Sequence, residues 1–426
     1  MLDFLILFEH KQRELNNACL LKYGLERKGY KVKIASLYNA EIPGVIQPFY
    51  FMKPKVVIVP WLYGDKEVEK IKMLFRHHKF KIVNLQCEQI LSKKWIEAGY
   101  HFPKGAAQKA SHICWGKRIV ERLKGLEIDN KNLWLTGAIS TDFDRGNLIG
   151  LFKNKDRLSE EFNLHREKNW LLFISSFSFT TLSKEEIEEI TFRTKVDNSN
   201  FAETAKKSKT IILDWLITFA RNHPNYEIIY RPHPNEKNDI SLIDLMNDIP
   251  NFHVISSYSV GQWIYCCDYI NNWISTSIVD AIFMKKNASL VRPLPIEQNS
   301  EIELFYNSNY ISSYQEFCLF NEGKCDKNFE IDISDYYLMD ADYSFMKICN
   351  FLENYIKDPD VSLYSSSPKR IKFFKSLIAY SCYYTNFFGR LTKNNVLMEI
   401  YREIGGSKKY QKEFIKSLSH VFGKDI

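Results

Sequence analysis

The strongest constraint on this chain is an alternation. Short apolar runs recur through the first 150 residues: "LDFLILF", "KVKIASL", "KVVIVP", "KIVNL", "HICWG" and "LWLTG". Charged stretches such as "ELNNACLLKYGLERKG" and "DKEVEKIKMLFRHH" separate them. The first of these spaces its apolar residues as a helix does and closes on a charged turn followed by glycine. Strands that alternate with helices build βαβ units and a parallel sheet. Residues 150–165 are polar, and then the pattern restarts with "NWLLFISS", "YEIIYRPH", "NFHVISS", "DYINNWIS" and "ASLVRPL". The helical segment "TAKKSKTIILDWLITFARNHP" falls between the first two. At 426 residues the chain exceeds one ordinary core. The expected architecture is therefore α/β, with two doubly wound Rossmann-like domains facing a central cleft. They occupy residues 1–150 and 165–345. Residues 300–345 are irregular and acidic, and a C-terminal helical region, 346–426, follows.

Composition narrows the class. Hydrophobic residues make up 45% and charged residues 26%, as in a globular protein. No apolar run approaches the ~18 residues of a membrane span. The N-terminus "MLDFLILFEHKQREL" lacks a basic leader and a small-residue cleavage site, so it reads as a strand and not a signal peptide. Nine cysteines are scattered without CxxC spacing, which fits reduced core thiols in a cytoplasmic protein better than a zinc site. Net charge is +7, and its placement is uneven. From Lys369 onward there are 12 Lys/Arg against 4 Asp/Glu, a balance of +8; the remainder of the chain carries −1. A nucleic-acid protein spreads such charge over a reading surface. A basic, aromatic tail such as "KRIKFFKSLIAYSCYYTNFFGR" suits instead the inner face of a membrane, or a helix closing over both domains.

Ligands of open α/β sheets bind outside the carboxyl ends of the strands. "EIIYRPHPNEK" is one such end. Pro232 and Pro234 fix φ and push the residues before them out of the helical region, so His233 is presented on a stiff, extended segment. Arg231 adds a planar, permanently charged fork suited to phosphate or carboxylate. A second end is "YINNWISTSIVDAIF". Here Ser275, Thr276 and Ser277 precede a helix, where hydroxyls cap free N–H groups and anions are favoured. Asp280, one turn on, suits a ribose hydroxyl or the positive end of the helix equally. Ser175, Ser176 and Ser178 follow the first strand of the second domain and line a phosphate path or form a turn. The loop "SSYSVGQW" (256–263) lies between the two main ends and suits a nucleobase, with Trp263 an alternative core residue. These ends describe a nucleotide site without a P-loop or GxGxxG, which weakens ATPase and dehydrogenase readings.

With these residues in view, the chain resembles bacterial surface-carbohydrate biosynthesis proteins of GT-B glycosyltransferase architecture. "FEHKQREL" with "LERKGYKV" is similar to their opening strand and RE-containing helix. "HICWGKRIVERL" and "LWLTGAISTDFDR" resemble their W-G and T-G-x-x-x-x-D segments. "YRPHPNE" and "WISTSIVDAIFMKK" are similar to the HP and Ser/Thr motifs of bacterial sialyltransferases, Kdo transferases and polyol-phosphate transferases. The resemblance spans roughly residues 1–300. It implies transfer of an acidic sugar, Kdo or a sialic-acid-like nonulosonic acid, from a CMP-sugar donor to a glycan or lipid-linked glycan acceptor. It also implies an acceptor-side first domain and a donor-binding second domain. The family's phosphate-holding role falls on His233, Ser275, Thr276 and Ser277, assisted by Arg231. No metal and no cofactor beyond the donor are implied, since His, Arg and helix N–H groups suffice to neutralise a leaving phosphate.

An inverting transfer needs a base for the acceptor hydroxyl. Glu88, ending "KIVNLQCE", is the first expectation; Glu9, ending "LILFE", is the second. "TGAISTDFDR" adds Asp142 and Asp144. A retaining mechanism would use a carboxylate as nucleophile. Two other readings compete. A CDP-polyol phosphotransferase would use the same phosphate site and often a histidine base, which His10 beside Glu9 keeps in play. A catalytically inactive module would bind glycan or scaffold an assembly. The expected location is cytoplasmic, with peripheral contact at the inner membrane face through the basic tail, and no nucleic-acid partner.

Overall fold

The computed structural model describes residues 2–37, 52–233, 236, 248–325, 329–366 and 407–423. All eleven apolar runs form parallel strands. These are β1 (Leu2–Phe8), β2 (Val32–Ser36), β3 (Pro54–Val59), β4 (Lys79–Asn84), β5 (Ser111–Cys114), β6 (Leu133–Leu135), β7 (Asn169–Ile174), β8 (Tyr226–Arg231), β9 (Phe252–Val254), β10 (Tyr269–Asn272) and β11 (Asn287–Val291). Two short strands, β12 (Tyr310–Ile311) and β13 (Tyr364–Ser365), carried no sequence signal. The helices used below are α1 (Lys11–Arg27), α2 (Lys117–Lys124), α3 (Ser199–Asn222), α4 (Val260–Cys266), α5 (Ile278–Phe283), α6 (Ser344–Tyr355) and α7 (Ser407–Phe422). Among the described residues, no helix is long and apolar enough to cross a membrane. The basic aromatic stretch 369–390 lies outside them.

The chain divides into two compact units. The first comprises Met1–Gln89, His101–Asp142 and Ser334–Ile426. Its sheet runs β2-β1-β3-β4-β5-β6, all parallel, with β13 antiparallel to β4. Leu5, Leu7, Val57, Val59, Phe80 and Ile82 are fully buried, as parallel strands covered on both faces require. Each such side chain contributes about 1.5–3 kcal/mol by leaving water.

The boundaries depart from the sequence expectation. The chain returns to the first unit at Ser334, and the described residues beyond 346 belong to that unit. α6 and α7 pack on α1. The Tyr410 hydroxyl donates to Asn16 Oδ1 at 2.6 Å, and Phe422 stacks on Tyr23. The W-G and T-G-x-x-x-x-D segments are where this return docks. Leu338 N–H donates to Trp115 O at 2.8 Å, and Arg118 N–H donates to Asp335 O at 2.9 Å. The passing backbone is so close that a Cβ on Gly116 would lie 2.3 Å from the Tyr336 carbonyl carbon. Asp142 is fully buried and accepts from the N–H groups of Ser344 and Phe345, both at 2.8 Å, at the start of α6. Asp142 is therefore an anchor at a helix N-terminus and not a catalytic acid.

The second unit comprises Ile90–Tyr100 and Phe143–Ile333, with sheet order β12-β11-β10-β7-β8-β9, again parallel. Trp263 is core: it is fully buried, and its indole N–H donates to Ser257 O at 2.9 Å. Glu227 on β8 is 1% exposed and pairs with His253 at 2.6 Å, His165 at 2.7 Å and Lys168 at 3.0 Å. Burial alone would raise this carboxyl, but the bonds from His253, Lys168 and His165 outweigh it and hold the pKa at about 2. A depressed carboxylate stabilises the fold above its unfolded value, near 4.5, and that stability is lost as pH falls toward 2. Glu227→Gln is expected to cost the second unit about 3 kcal/mol at pH 7. Urea midpoints at pH 7 and pH 3 should differ less in the variant than in the parent; an equal difference would remove Glu227 from the acid response.

Candidate functional site

In the first unit, β1 leads to β2 on one side and lies against β3 on the other, so the topological switch point falls between β1 and β3. An open cavity of about 280 Å³ sits there, lined by Glu9 and His10 after β1, Trp61 after β3, Glu88 after β4, and Tyr63 and His101. Arg13, on the first turn of α1, ties the acids together. Its guanidinium donates to Glu88 Oε1 at 2.6 Å and to Glu14 Oε1 at 2.8 and 3.0 Å. Glu14 is buried, and its other oxygen accepts from Glu9 N–H at 2.6 Å, which pins the end of β1. The "FEHKQREL" segment is thus one local device in which the helix holds the strand end.

The two expected bases differ. Glu88 has one oxygen on Arg13 and the other 3.3 Å from His101 Nδ1. Glu9 Oε2 accepts from the Trp61 indole at 2.9 Å, with His10 Nε2 at 3.5 Å. Burial, aided by Glu14, pushes the Glu9 carboxyl above its ordinary range against the pull of His10, Trp61 and Arg13. Glu9 thus carries a raised carboxyl on the cavity wall, while both oxygens of Glu88 face cationic or imidazole partners. His101 went unnoticed in the sequence. Its φ is +61°, and its carbonyl accepts from Gln86 Nε2 at 3.3 Å, itself a residue at φ +49°. Its ring stacks on Tyr63 at 4.6 Å, and Tyr63 stacks on Trp61. Non-glycine residues at positive φ concentrate at functional sites. No local motif marks His101; only the fold brings it to Glu88.

In the second unit, β7 lies between β8 and β10. Ile174 pairs with Arg231 on one side and Asn272 on the other, so the two motifs leave the sheet from one row. They are two strand spacings apart, roughly 10 Å. His233, Ser275, Thr276 and Ser277 are all half-buried at this edge. Ser275 Oγ accepts from Ser277 N–H at 3.2 Å, and Asn272 Oδ1 accepts from Ser275 N–H at 3.0 Å. α5 has only six residues, so its dipole is smaller than the sequence suggested. Arg231 donates to the carbonyls of Ser257 (2.9 Å) and Tyr258 and so clamps the loop after β9. Burial pulls its pKa down to about 10. Ser176 Oγ accepts from Ile274 N–H at 3.1 Å, a link between strand ends.

Asp280, expected at a ribose hydroxyl or at the helix end, meets a second carboxyl. Burial raises its carboxyl to about 7, and it shares a hydrogen bond with Asp144. A Cβ on Gly261 would lie 3.5 Å from Asp144 Oδ1 and 3.8 Å from Asp280 Oδ2. Two carboxyls that share a hydrogen bond hold a proton between them more readily than they ionise together.

The sequence matches no protein-family model and no curated protein. Solved structures do match. UDP-GlcNAc 2-epimerase from Methanocaldococcus jannaschii, in complex with UDP-GlcNAc and UDP, aligns over 83% of this chain and 100% of its own, with TM-score 0.52 and 11% identity. UDP-GlcNAc 2-epimerase from Neisseria meningitidis, bound to UDP-GlcNAc, covers 84% and 100% at TM-score 0.50 and 15% identity. The wall teichoic acid polymerase TagF, soaked with CDPG, covers 83% and 88% at TM-score 0.50 and 12% identity. This is the GT-B fold. At such identities the likeness establishes architecture alone.

Proposed function

We propose that the chain is a glycosyltransferase of bacterial surface-polysaccharide assembly that takes a CMP-activated acidic sugar. The observation that carries the reading is the shared edge of β8 and β10, where Arg231, His233 and Ser275–Ser277 leave the sheet from one row. Arg231 is a half-buried cation whose described partners are carbonyls, which favours an anion nearby. The same fold carries UDP-GlcNAc in the epimerases and has been soaked with CDPG in TagF, so nucleotide ligands suit it. In this reading the second unit holds the donor phosphate and the first supplies the base. The acceptor oxygen bonds to the anomeric carbon and the bond from that carbon to the phosphate oxygen breaks. CMP departs with the electron pair, and Glu9 takes the hydroxyl proton.

A CDP-polyol phosphotransferase is the second reading. It is favoured by His10 and His101, both on the wall of the first unit's cavity. There the acceptor oxygen would attack phosphorus, and the P–O bond to CMP would break.

Titration of CMP, CDP and UDP by calorimetry tests the site. Cytidine nucleotides are expected to bind in preference to UDP, and His233→Ala to weaken them about tenfold, the loss of one hydrogen bond to a charged group. Indifference of the folded protein to all three nucleotides would sink both transferase readings and leave a glycan-binding module. Donor screening with CMP-Kdo, CMP-sialic acid and CDP-glycerol then separates the two enzymes.

A further inference from the structure

The residue that closes "RPHPNE" is unlike the others in the motif. Glu236 is 8% exposed, and the described contacts give its carboxylate four donors. Oε1 accepts from the Tyr230 hydroxyl at 2.9 Å and lies 2.7 Å from Lys209 Nζ. Oε2 accepts from the Ser175 hydroxyl at 2.5 Å and from His233 N–H at 3.1 Å. Two donors on each oxygen match what a carboxylate accepts. Glu236 N–H also donates to His233 O at 2.8 Å. His233 and Glu236 thus bind each other reciprocally, backbone to backbone and side chain to backbone. The donors come from the end of β7, from β8 and from the middle of α3, so one buried carboxylate ties the histidine segment to three elements of the second unit. Lys209 is itself only 9% exposed at its side chain, so the charge is paired where it is buried.

We propose that Glu236 is the positioning residue for His233: it holds the histidine backbone so that the imidazole meets the nucleotide phosphate. This role rests on the nucleotide reading of the site. Glu236 contacts no ligand in it, because its oxygens are occupied.

The chemistry of the isostere makes the idea testable. In Glu236→Gln one oxygen becomes an NH2 that cannot accept. Lys209 and Tyr230 need the remaining acceptor. The Ser175 hydroxyl can rotate, but His233 N–H cannot, so the contact to His233 is the one lost. The substitution also breaks the contact to Lys209, so Lys209→Met, which keeps both Glu236 oxygens, serves as the control for the lost charge pair.

Two measurements decide. The first is amide hydrogen exchange of the intact protein without nucleotide. His233 N–H should be protected in the parent and in Lys209→Met, and should exchange at least tenfold faster in Glu236→Gln. An unprotected amide in the parent overturns the anchor. The second is CMP affinity by calorimetry in the parent and His233→Ala backgrounds. The Glu236 substitution should weaken CMP about tenfold in the parent and less than twofold once His233 is gone, because effects through one group are not additive. An equal loss in both backgrounds, or none in either, overturns positioning through His233. A protected amide in a protein that binds no CMP overturns the nucleotide reading and with it the ligand role of Glu236.

Discussion

Gly116→Ala is expected to lower the stability of the first unit by about 3 kcal/mol, a fall of roughly 6–12 °C in Tm for a unit of this size. The glycine has ordinary extended backbone angles, so conformational freedom is not the reason. The reason is proximity. The added methyl would meet the carbonyl groups of Asp335 and Tyr336 at 2.3–2.5 Å, and both are backbone. A flexible side chain could step aside; a backbone held by Arg118 N–H to Asp335 O and Leu338 N–H to Trp115 O cannot move without releasing those bonds. Asp142→Ala should act in the same place, removing the acceptor of two N–H groups at the start of α6 and costing about 2 kcal/mol. Thermal unfolding followed by calorimetry checks both. A Gly116→Ala protein that melts with the parent would show that the return segment is not held as described.

Glu9→Gln is expected to reduce kcat/KM by 10²–10⁴-fold, the usual contribution of a general base, while Glu88→Gln keeps most of the activity. The assay is initial rate with the donor that the nucleotide titration selects. The pH profile supplies the sign. Burial raises the Glu9 carboxyl, so the base is fully ionised only above the ordinary glutamate range, and the rate should fall as pH drops through the raised value. Neutral glutamine has no such ionisation, so the residual rate of the variant should lose that acidic limb. A larger loss in Glu88→Gln than in Glu9→Gln would return the role to Glu88. A wild-type rate in both would move the base to His10 or His101.

Much of the fold was legible because its signals are local. Eleven apolar runs became eleven strands, since a strand buried on both faces must be continuously apolar. The strand ends were legible for a related reason. Strand ends are where ligands meet this architecture, and Pro232 and His233 can be read where a strand stops. What stayed hidden shares a cause. The partners of Asp142, Asp280 and Arg231 lie at Ser344, Asp144 and Ser257–Tyr258, beyond their neighbours in sequence. Charge alone does not reveal whether a carboxylate faces a cavity or a helix end.

By itself the sequence determined the two α/β halves, the parallel order of each sheet's material and the positions where chemistry can be displayed. Those properties follow from hydrophobic periodicity and from backbone restrictions, which act within a few residues. Only the tertiary structure decided that the chain returns to the first unit at Ser334, that His101 joins Glu88, that Asp144 and Asp280 share a hydrogen bond, and that Glu236 anchors His233. The Glu88–His101 and Asp144–Asp280 pairings depend on partners brought close by packing, and the Glu236 carboxylate is held by donors from Ser175, Tyr230 and Lys209. Burial sets whether a carboxyl is ionised, and packing sets which donors reach it; neither is a property of the residue's own neighbourhood in the chain.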